Sequence, residues 1–186
     1  PPADRIRNLI GRSLMQMMQQ LAPSAGMGKH EELVETYAAH YLNPNNRHMR
    51  LFPDVLPTLE RLREAGYWLS VATGKGRSGL NQAIAQTGTG DFWLATACAS
   101  ECPSKPAPDM VWRLCDELGV MPSESIVIGD TAFDLEMAAH AGARGIGVAT
   151  GAHSRETLQS APNIGILSCF GELEGFLQRQ GSIEAV

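Results

Sequence analysis

The stretch from residue 125 to residue 138 constrains the fold of this chain more than any other part of the sequence. Three consecutive β-branched apolar residues at 126–128 are typical of a parallel strand that is buried on both faces. Gly129 lets the backbone turn, Asp130 follows at the end of the strand, and Asp134 comes four residues later, where an apolar helical pattern begins. Two carboxylates at the carboxyl end of a parallel strand lie where open α/β sheets place their ligands. Their mutual repulsion favours a bound proton or a divalent cation.

Strand-like and helix-like segments alternate from residue 51 to the end of the 186-residue chain. This alternation predicts a parallel sheet with right-handed crossovers, that is, an α/β Rossmann-like core. The predicted strands are 68–72, 92–97, 126–128, 146–149 and 164–167, and the predicted helices are 55–65, 78–86, 109–118, 134–141, 154–160 and 168–178.

The first fifty residues carry helical periodicity and no strand pattern. A first helical segment is predicted over 1–22 with a bend at Gly11, and a second helix over 30–42, followed by a polar linker at 43–50. We therefore predict two parts: a small helical cap, partial in this sequence, at 1–50, and the α/β core at 51–186.

Composition excludes several classes of function. With 15 basic and 20 acidic residues the net charge is −5, and no basic stripe indicates nucleic-acid binding. No apolar run reaches membrane-spanning length, and residues 1–30 lack a secretory signal pattern, so we expect a cytoplasmic protein with no nucleic-acid or membrane partner. The cysteines are not spaced as in a zinc site or a disulfide framework, and we expect reduced thiols at Cys98, Cys102, Cys115 and Cys169.

Polar groups follow three of the predicted core segments: Thr73-Gly74 after one strand, Lys105 in a proline-rich loop, and Asp130 with Asp134 after another strand. The carboxyl ends of parallel strands meet at one edge of a sheet, so these groups can converge. A hydroxyl, turn amides, an ammonium and two carboxylates suit a phosphoryl group with a divalent cation. Each signal alone has a simpler explanation, namely a common turn, a surface lysine or a helix cap with a solvated aspartate.

In this order the motifs resemble those of the haloacid dehalogenase superfamily, in particular its phosphoglycolate phosphatase-like members with a helical cap. Val71-Ala72-Thr73-Gly74-Lys75 is similar to the second motif of the family, Ser104-Lys105-Pro106 to the third, and the segment from Ile128 to Asp134 to the acidic fourth. Leu51-Phe52-Pro53-Asp54-Val55 also resembles the return from cap to core. The resemblance covers essentially the whole chain.

The resemblance implies a role for each motif residue. Thr73 and Gly74 would bind the phosphoryl group, and Lys105 would steady the phosphate and the nucleophile. Thr73 and Lys105 are therefore the candidate catalytic residues. Asp130 and Asp134 would ligate Mg²⁺, the expected cofactor.

The sequence departs from the family at its first motif, Asp-x-Asp-Gly-Thr, because no Asp-x-Asp occurs in it. In the family, the first of these aspartates attacks phosphorus to give an aspartyl-phosphate, and the second is the general acid–base. We therefore expect an N-terminally shortened phosphatase that has no turnover by the family mechanism. The absent strand would be central, between the strands at 68 and 126, so we expect either a buried slot there or direct pairing of those two strands.

The function implied is magnesium-dependent hydrolysis of a small phosphomonoester, phosphoglycolate-like, by a monomer or homodimer whose cap gates the site. Arg12 is a candidate for binding a second anionic group of this phosphorylated metabolite, or a solvent-facing helix residue. The alternatives are a non-catalytic module that binds phosphate and magnesium, a receiver-like signalling domain, and a phosphomutase.

Overall fold

The computed structural model of the chain describes residues 1–43 and 49–181, so most of the predicted linker lies outside the described residues. The first part is helical, with α1 (Ala3–Arg7), α2 (Leu14–Leu21) and α3 (Met27–Leu42). The bend predicted at Gly11 is a break between α1 and α2, and the φ of Gly11, 105°, lies in a region that favours glycine. Before residue 43 the structure is helical as expected, while the division between cap and core at residue 50 stays a prediction.

The core alternates strands and helices as predicted, and every strand pair is parallel. This confirms an α/β, Rossmann-like architecture. Several boundaries differ from the prediction by a few residues, most clearly at two places. Residues 90–92 form a 3₁₀ turn, closed by the Trp93 N–H on the Gly90 carbonyl, and not the start of a strand. Residues 170–172 form another 3₁₀ turn, so the last helix begins at Leu173 and not at residue 168. The elements are α4 (Val55–Glu64), β1 (Ser70–Thr73), α5 (Arg77–Thr87), β2 (Ala95–Cys98), α6 (Asp109–Leu118), β3 (Ile126–Gly129), α7 (Ala132–Ala141), β4 (Arg144–Val148), α8 (Arg155–Gln159), β5 (Gly165–Leu167) and α9 (Leu173–Arg179).

The strands form two separate sheets, with β1 beside β2 and with β3, β4 and β5 in that order. An apolar cavity of about 410 Å³, which we call the slot, lies between them and is lined by Ser70 and Ala72 of β1 and by residues 126–128 of β3. The strands that border the slot are only partly buried, whereas Ala97 of β2 and Ile146 of β4 are fully buried. Of the two arrangements expected from the sequence, the structure has the slot.

Helices hold the two sheets together on both faces. On one face a buried cluster joins β2 to α6 and α7, with Val127 of β3 packed against it. On the other face α4 and α9 pack on β4 and β5, and Ile126 and Ile128 of β3 join that cluster. Along β3 the side chains therefore alternate between the two layers, as the pleat of a strand requires. In the part of the chain that the structure describes, no helix has both the length and the apolar character needed to cross a membrane.

Candidate functional site

The site lies at the carboxyl ends of β1 and β3, at one end of the slot. Lys105 connects the two sides, because its Nζ donates to the Ala72 carbonyl of β1 at 2.9 Å and to Asp134 Oδ1 of α7 at 2.6 Å. Lys105 is 6% exposed and Asp134 is 5% exposed, so this is a buried ion pair. The loop lysine and the helix carboxylate, which are 29 residues apart in the chain, are thus brought together as predicted.

Asp134 also caps its own helix. Its Oδ2 accepts hydrogen bonds from the Thr131 backbone N–H at 3.1 Å and from the Thr131 hydroxyl at 2.6 Å, which completes a capping box at the start of α7. Both oxygens of Asp134 are therefore bonded to protein donors.

Asp130 presents a different environment. Its Oδ2 accepts the Ala152 N–H at 2.8 Å, and its backbone carbonyl accepts the His153 N–H at 3.2 Å. Among the described residues, Oδ1 of Asp130 has no hydrogen-bond donor. One carboxylate oxygen is therefore held in place by the protein while the other is available to a ligand.

The turn after β1 carries the predicted phosphate-binding groups. The Oγ1 of Thr73 accepts the Lys75 N–H at 3.2 Å, and within the described residues its hydroxyl hydrogen has no acceptor. The side chain of Lys75 points to the helical part, where its Nζ donates to the Tyr41 hydroxyl at 2.6 Å and lies 4.7 Å from the ring centroid of Tyr41. Thr73 can thus still donate to an incoming oxygen.

Arg12 lies at the site, on a segment of the helical part that rests on this turn. A Cβ at Gly74 would come within 2.6 Å of the Arg12 carbonyl oxygen, so the close approach requires glycine. The guanidinium stacks on the ring of Phe133 at 4.3 Å, and its Nε is buried without a hydrogen-bond partner in the described part of the chain. The next residue, Ser13, donates its N–H to Ser104 Oγ at 2.7 Å. The side chain of Arg12 is partly buried, so it is not the solvent-facing helix residue that was the alternative prediction.

The donor set fits Mg²⁺ in kind and in number. Mg²⁺ prefers oxygen ligands and is usually held by one or two carboxylates together with waters and substrate phosphate. Asp130 offers one open oxygen, while the two oxygens of Asp134 already accept from Lys105 and from Thr131. Within residues 1–43 and 49–181, no three His, Cys, Asp or Glu side chains gather closely enough to hold a metal by themselves.

The sequence motifs missed the residues that hold Asp130 in place, Gly151, Ala152 and His153. They lie on the loop after β4, which the sequence indicated only as a loop. The order of the strands could have indicated this loop, because the carboxyl end of β4 lies at the same edge of the sheet as that of β3.

Comparison with known proteins agrees with this geometry. The family model described as haloacid dehalogenase-like hydrolase matches residues 1–170. Pyrophosphatase PpaX of Bacillus velezensis is 30% identical over 133 residues, which cover 71% of this chain and 62% of that protein. Phosphoglycolate phosphatase of Mannheimia succiniciproducens is 28% identical over 144 residues, which cover 77% of this chain and 64% of that protein.

Solved structures of hydrolases share the fold of this chain. The crystal structure of a hydrolase from Pseudomonas syringae superposes with a TM-score of 0.87 at 23% identity, over 98% of this chain and 85% of that one. This likeness concerns the fold alone, and the chain spans less than two thirds of the length of the two curated relatives above. The family match covers almost the whole chain, and it agrees with the order of the motifs. The chain therefore belongs to the haloacid dehalogenase-like hydrolases and resembles their phosphoglycolate phosphatase-like members.

Proposed function

We propose that this chain is the phosphate-binding and magnesium-binding part of a phosphatase that hydrolyses a small phosphomonoester, phosphoglycolate-like. The observation that carries the proposal is the bridge made by the Lys105 ammonium, which bonds both the Ala72 carbonyl, next to Thr73, and Asp134, on the helix that follows Asp130. The relatives named as a phosphoglycolate phosphatase and a pyrophosphatase support the same class of reaction.

Each group has a defined role in this proposal. The Thr73 hydroxyl and the Gly74 N–H donate to phosphoryl oxygens, and the Lys105 ammonium neutralises their charge. Asp130 would hold Mg²⁺, and the ion, when bound, would supply further charge neutralisation at the phosphoryl group. Asp134 keeps Lys105 oriented and would be a second ligand through the lone pair that its Oδ1 has left beside the bond to Lys105. Arg12 binds a second anionic group of the substrate.

We further propose that a β-strand occupying the slot carries the nucleophilic aspartate. Its carboxylate would attack phosphorus, the P–O ester bond would break as the leaving oxygen takes a proton from the second aspartate, and water would then hydrolyse the aspartyl-phosphate. The facing borders of β1 and β3, which are not paired with each other, support this place for the strand.

The same proposal places the protein in the cytoplasm, acting on a soluble phosphorylated metabolite with its helical cap as a gate. All four cysteines are free thiols, which suits a reducing compartment.

The test compares this chain with a fusion that adds, before Pro1, an apolar strand ending in Asp-x-Asp-Gly-Thr and a short linker. Release of phosphate from phosphoglycolate, pyrophosphate and a panel of monoesters is measured with Mg²⁺ present. We expect turnover by the fusion and only background from the chain alone. In the fusion, Asp130→Asn should remove turnover, and Asp116→Asn, on the exposed side of α6, should retain it.

Two results would contradict the proposal. Turnover by the chain alone that Asp130→Asn abolishes would place the nucleophile within residues 1–186. It would refute the proposal that a strand in the slot carries the nucleophilic aspartate. A folded fusion that hydrolyses none of these compounds would refute the proposed phosphatase activity.

A non-catalytic binding module is the second candidate, and the completed Lys105–Asp134 pair favours it, because the pair needs no ligand to be satisfied. It predicts that the folded fusion binds inorganic phosphate with Mg²⁺, seen by ³¹P NMR, and releases none from the esters. Binding without turnover would select this candidate.

A further inference from the structure

The loop after β4, residues 149–153, makes three hydrogen bonds to the turn that carries Asp130. Ala152 N–H donates to Asp130 Oδ2 at 2.8 Å, His153 N–H donates to the Asp130 carbonyl at 3.2 Å, and Ala132 N–H donates to His153 Nδ1 at 3.1 Å. We propose that this loop, the β4 loop, fixes the Asp130 carboxylate for metal binding and that Gly151 and His153 are its positioning residues. The inference rests on the metal-binding role proposed for Asp130.

Gly151 is required because the backbone of the β4 loop lies against the carboxylate itself. A Cβ at this position would overlap the Cβ, Cγ and Oδ2 of Asp130. With glycine, the neighbouring Ala152 N–H reaches Oδ2, while Oδ1 has no donor within residues 1–43 and 49–181. The loop therefore decides which oxygen of Asp130 is presented to a cation.

His153 holds the other side of the turn. It is 7% exposed, and its Nδ1 accepts the N–H of Ala132, one of the first-turn donors of α7 that has no partner within the helix. An acceptor at Nδ1 puts the ring proton on Nε2, and Nε2 is buried with no hydrogen-bond partner among the residues that the structure describes. Burying an unpaired donor is unfavourable, so stability alone does not explain a histidine here.

The β4 loop is anchored away from the slot. Ala149 N–H donates to the Leu167 carbonyl at 3.0 Å, which extends the pairing of β4 with β5. At the other end Ser154 caps α8 by accepting the Thr157 N–H at 3.2 Å, and Leu158 of that helix is fully buried. The β4 loop that holds Asp130 is thus anchored on β5 and α8, neither of which borders the gap between β1 and β3.

The test measures binding of Mn²⁺, as a probe for Mg²⁺, to the 186-residue chain by the electron paramagnetic resonance of the free ion. Asp130→Asn should remove binding and so locates the ion. We expect Gly151→Ala and His153→Leu to raise the Kd 10- to 100-fold, the usual range for residues that orient a metal ligand. His153→Asn should stay near the wild type, because its Oδ1 can replace Nδ1 as the acceptor. Gly28→Ala, where a Cβ meets open space, is the matched glycine control.

Thermal unfolding of every variant shows which ones are folded, and if Gly151→Ala is not, the His153→Leu and His153→Asn pair decides the question. Mn²⁺ affinities of Gly151→Ala and His153→Leu equal to the wild type, with Asp130→Asn inactive in binding, would overturn the positioning role alone. A wild type that binds no Mn²⁺, or an Asp130→Asn variant that binds as the wild type does, would overturn the metal site of the proposed function and this inference with it.

Discussion

The Lys105–Asp134 ion pair sets the largest single-residue effect that we expect on stability. Lys105→Met leaves the Asp134 carboxylate buried without its counter-charge, so the free energy of unfolding should fall by about 3–5 kcal/mol. Urea unfolding monitored by circular dichroism measures this change. The exposed Arg61–Glu174 pair is the control, and Arg61→Met should cost only about 0–1 kcal/mol.

A second variant tests whether the loss comes from the uncompensated charge. Lys105→Met combined with Asp134→Asn removes that charge and keeps an oxygen that can accept from Thr131, so it should recover part of the lost free energy. Losses that simply add would show that the two residues do not stabilise the fold as a pair.

Glu101 gives the chain a defined pH dependence. Arg77 donates to both of its carboxylate oxygens, at 2.6 and 2.7 Å, and Arg113 lies 3.0 Å away. Hydrogen bonding to Arg77 lowers the pKa of Glu101 from 4.5 to about 2. Because the folded pKa is the lower one, the stabilisation is complete above pH 4.5 and disappears as the pH falls towards about 2.

The measurement is the difference in urea midpoint between the wild type and Glu101→Gln from pH 7 to pH 2. We expect a constant difference at neutral pH that shrinks below pH 4.5. Glu60→Gln, an exposed glutamate on α4, should show little difference at any pH. A difference for Glu101→Gln that grows on acidification would contradict the sign of the pKa shift.

At the residue level, the sequence predicted side chains that carry chemistry better than it predicted what holds them. Lys105 and Asp134 meet as expected because both follow strand ends on one edge of the fold. The partners of Asp130 are backbone amides and a buried histidine on a loop without a motif. Backbone donors leave no mark in the sequence beyond a glycine such as Gly151, so this part could not be predicted.

Helix α7 connects the candidate site to the core. Its first turn carries the Thr131–Asp134 capping box, and Met137 on the same helix is fully buried with β2 and α6. Met137→Ala should therefore reduce the free energy of unfolding by about 2–5 kcal/mol. Met121, which is 64% exposed, is the matched control, and urea unfolding of Met121→Ala should match the wild type within about 0.5 kcal/mol.

Most elements agree with the sequence because their signals are local. Helix α6 begins and ends where its apolar periodicity and Gly119 predict, with Gly119 in the left-handed conformation at φ 70°. The predicted start of β2 at residue 92 was wrong because Phe92 and Trp93 are apolar and aromatic, like strand residues. Their turn is set by tertiary contacts instead, such as Arg63 stacking at 4.6 Å on Phe92.

At the level of the whole molecule, the helical part meets the core where the backbone of Arg12 rests on Gly74. Gly74→Ala introduces a Cβ into this contact, so the segment must move away, at a cost of about 1–3 kcal/mol. Tryptic cleavage after Arg12, followed by mass spectrometry, should become faster. Gly76→Ala has open space around its Cβ and should be cleaved at the wild-type rate. Equal rates for both variants would mean that Gly74 does not hold the two parts together.

The absent first motif left two arrangements open, a slot or direct pairing of β1 with β3, and the sequence did not indicate which of them the fold adopts or what closes the core around the slot. That closure depends on long-range packing of α4 and α9 on one face and of α6 and α7 on the other. Periodicity reports which helices are amphipathic, but it does not report which sheet each helix covers.

The slot makes the stability of the fold a function of its occupancy. A strand that binds the folded chain and not the unfolded one adds about 4 kcal/mol of stability when its concentration is 1,000 times its Kd. Tethering such a strand by a short linker gives an effective concentration in the millimolar range, so even a weakly binding strand would be almost always in place. Substitutions at Ser70 or Ile128, which line the slot, would then change turnover and thermal stability together by mass action.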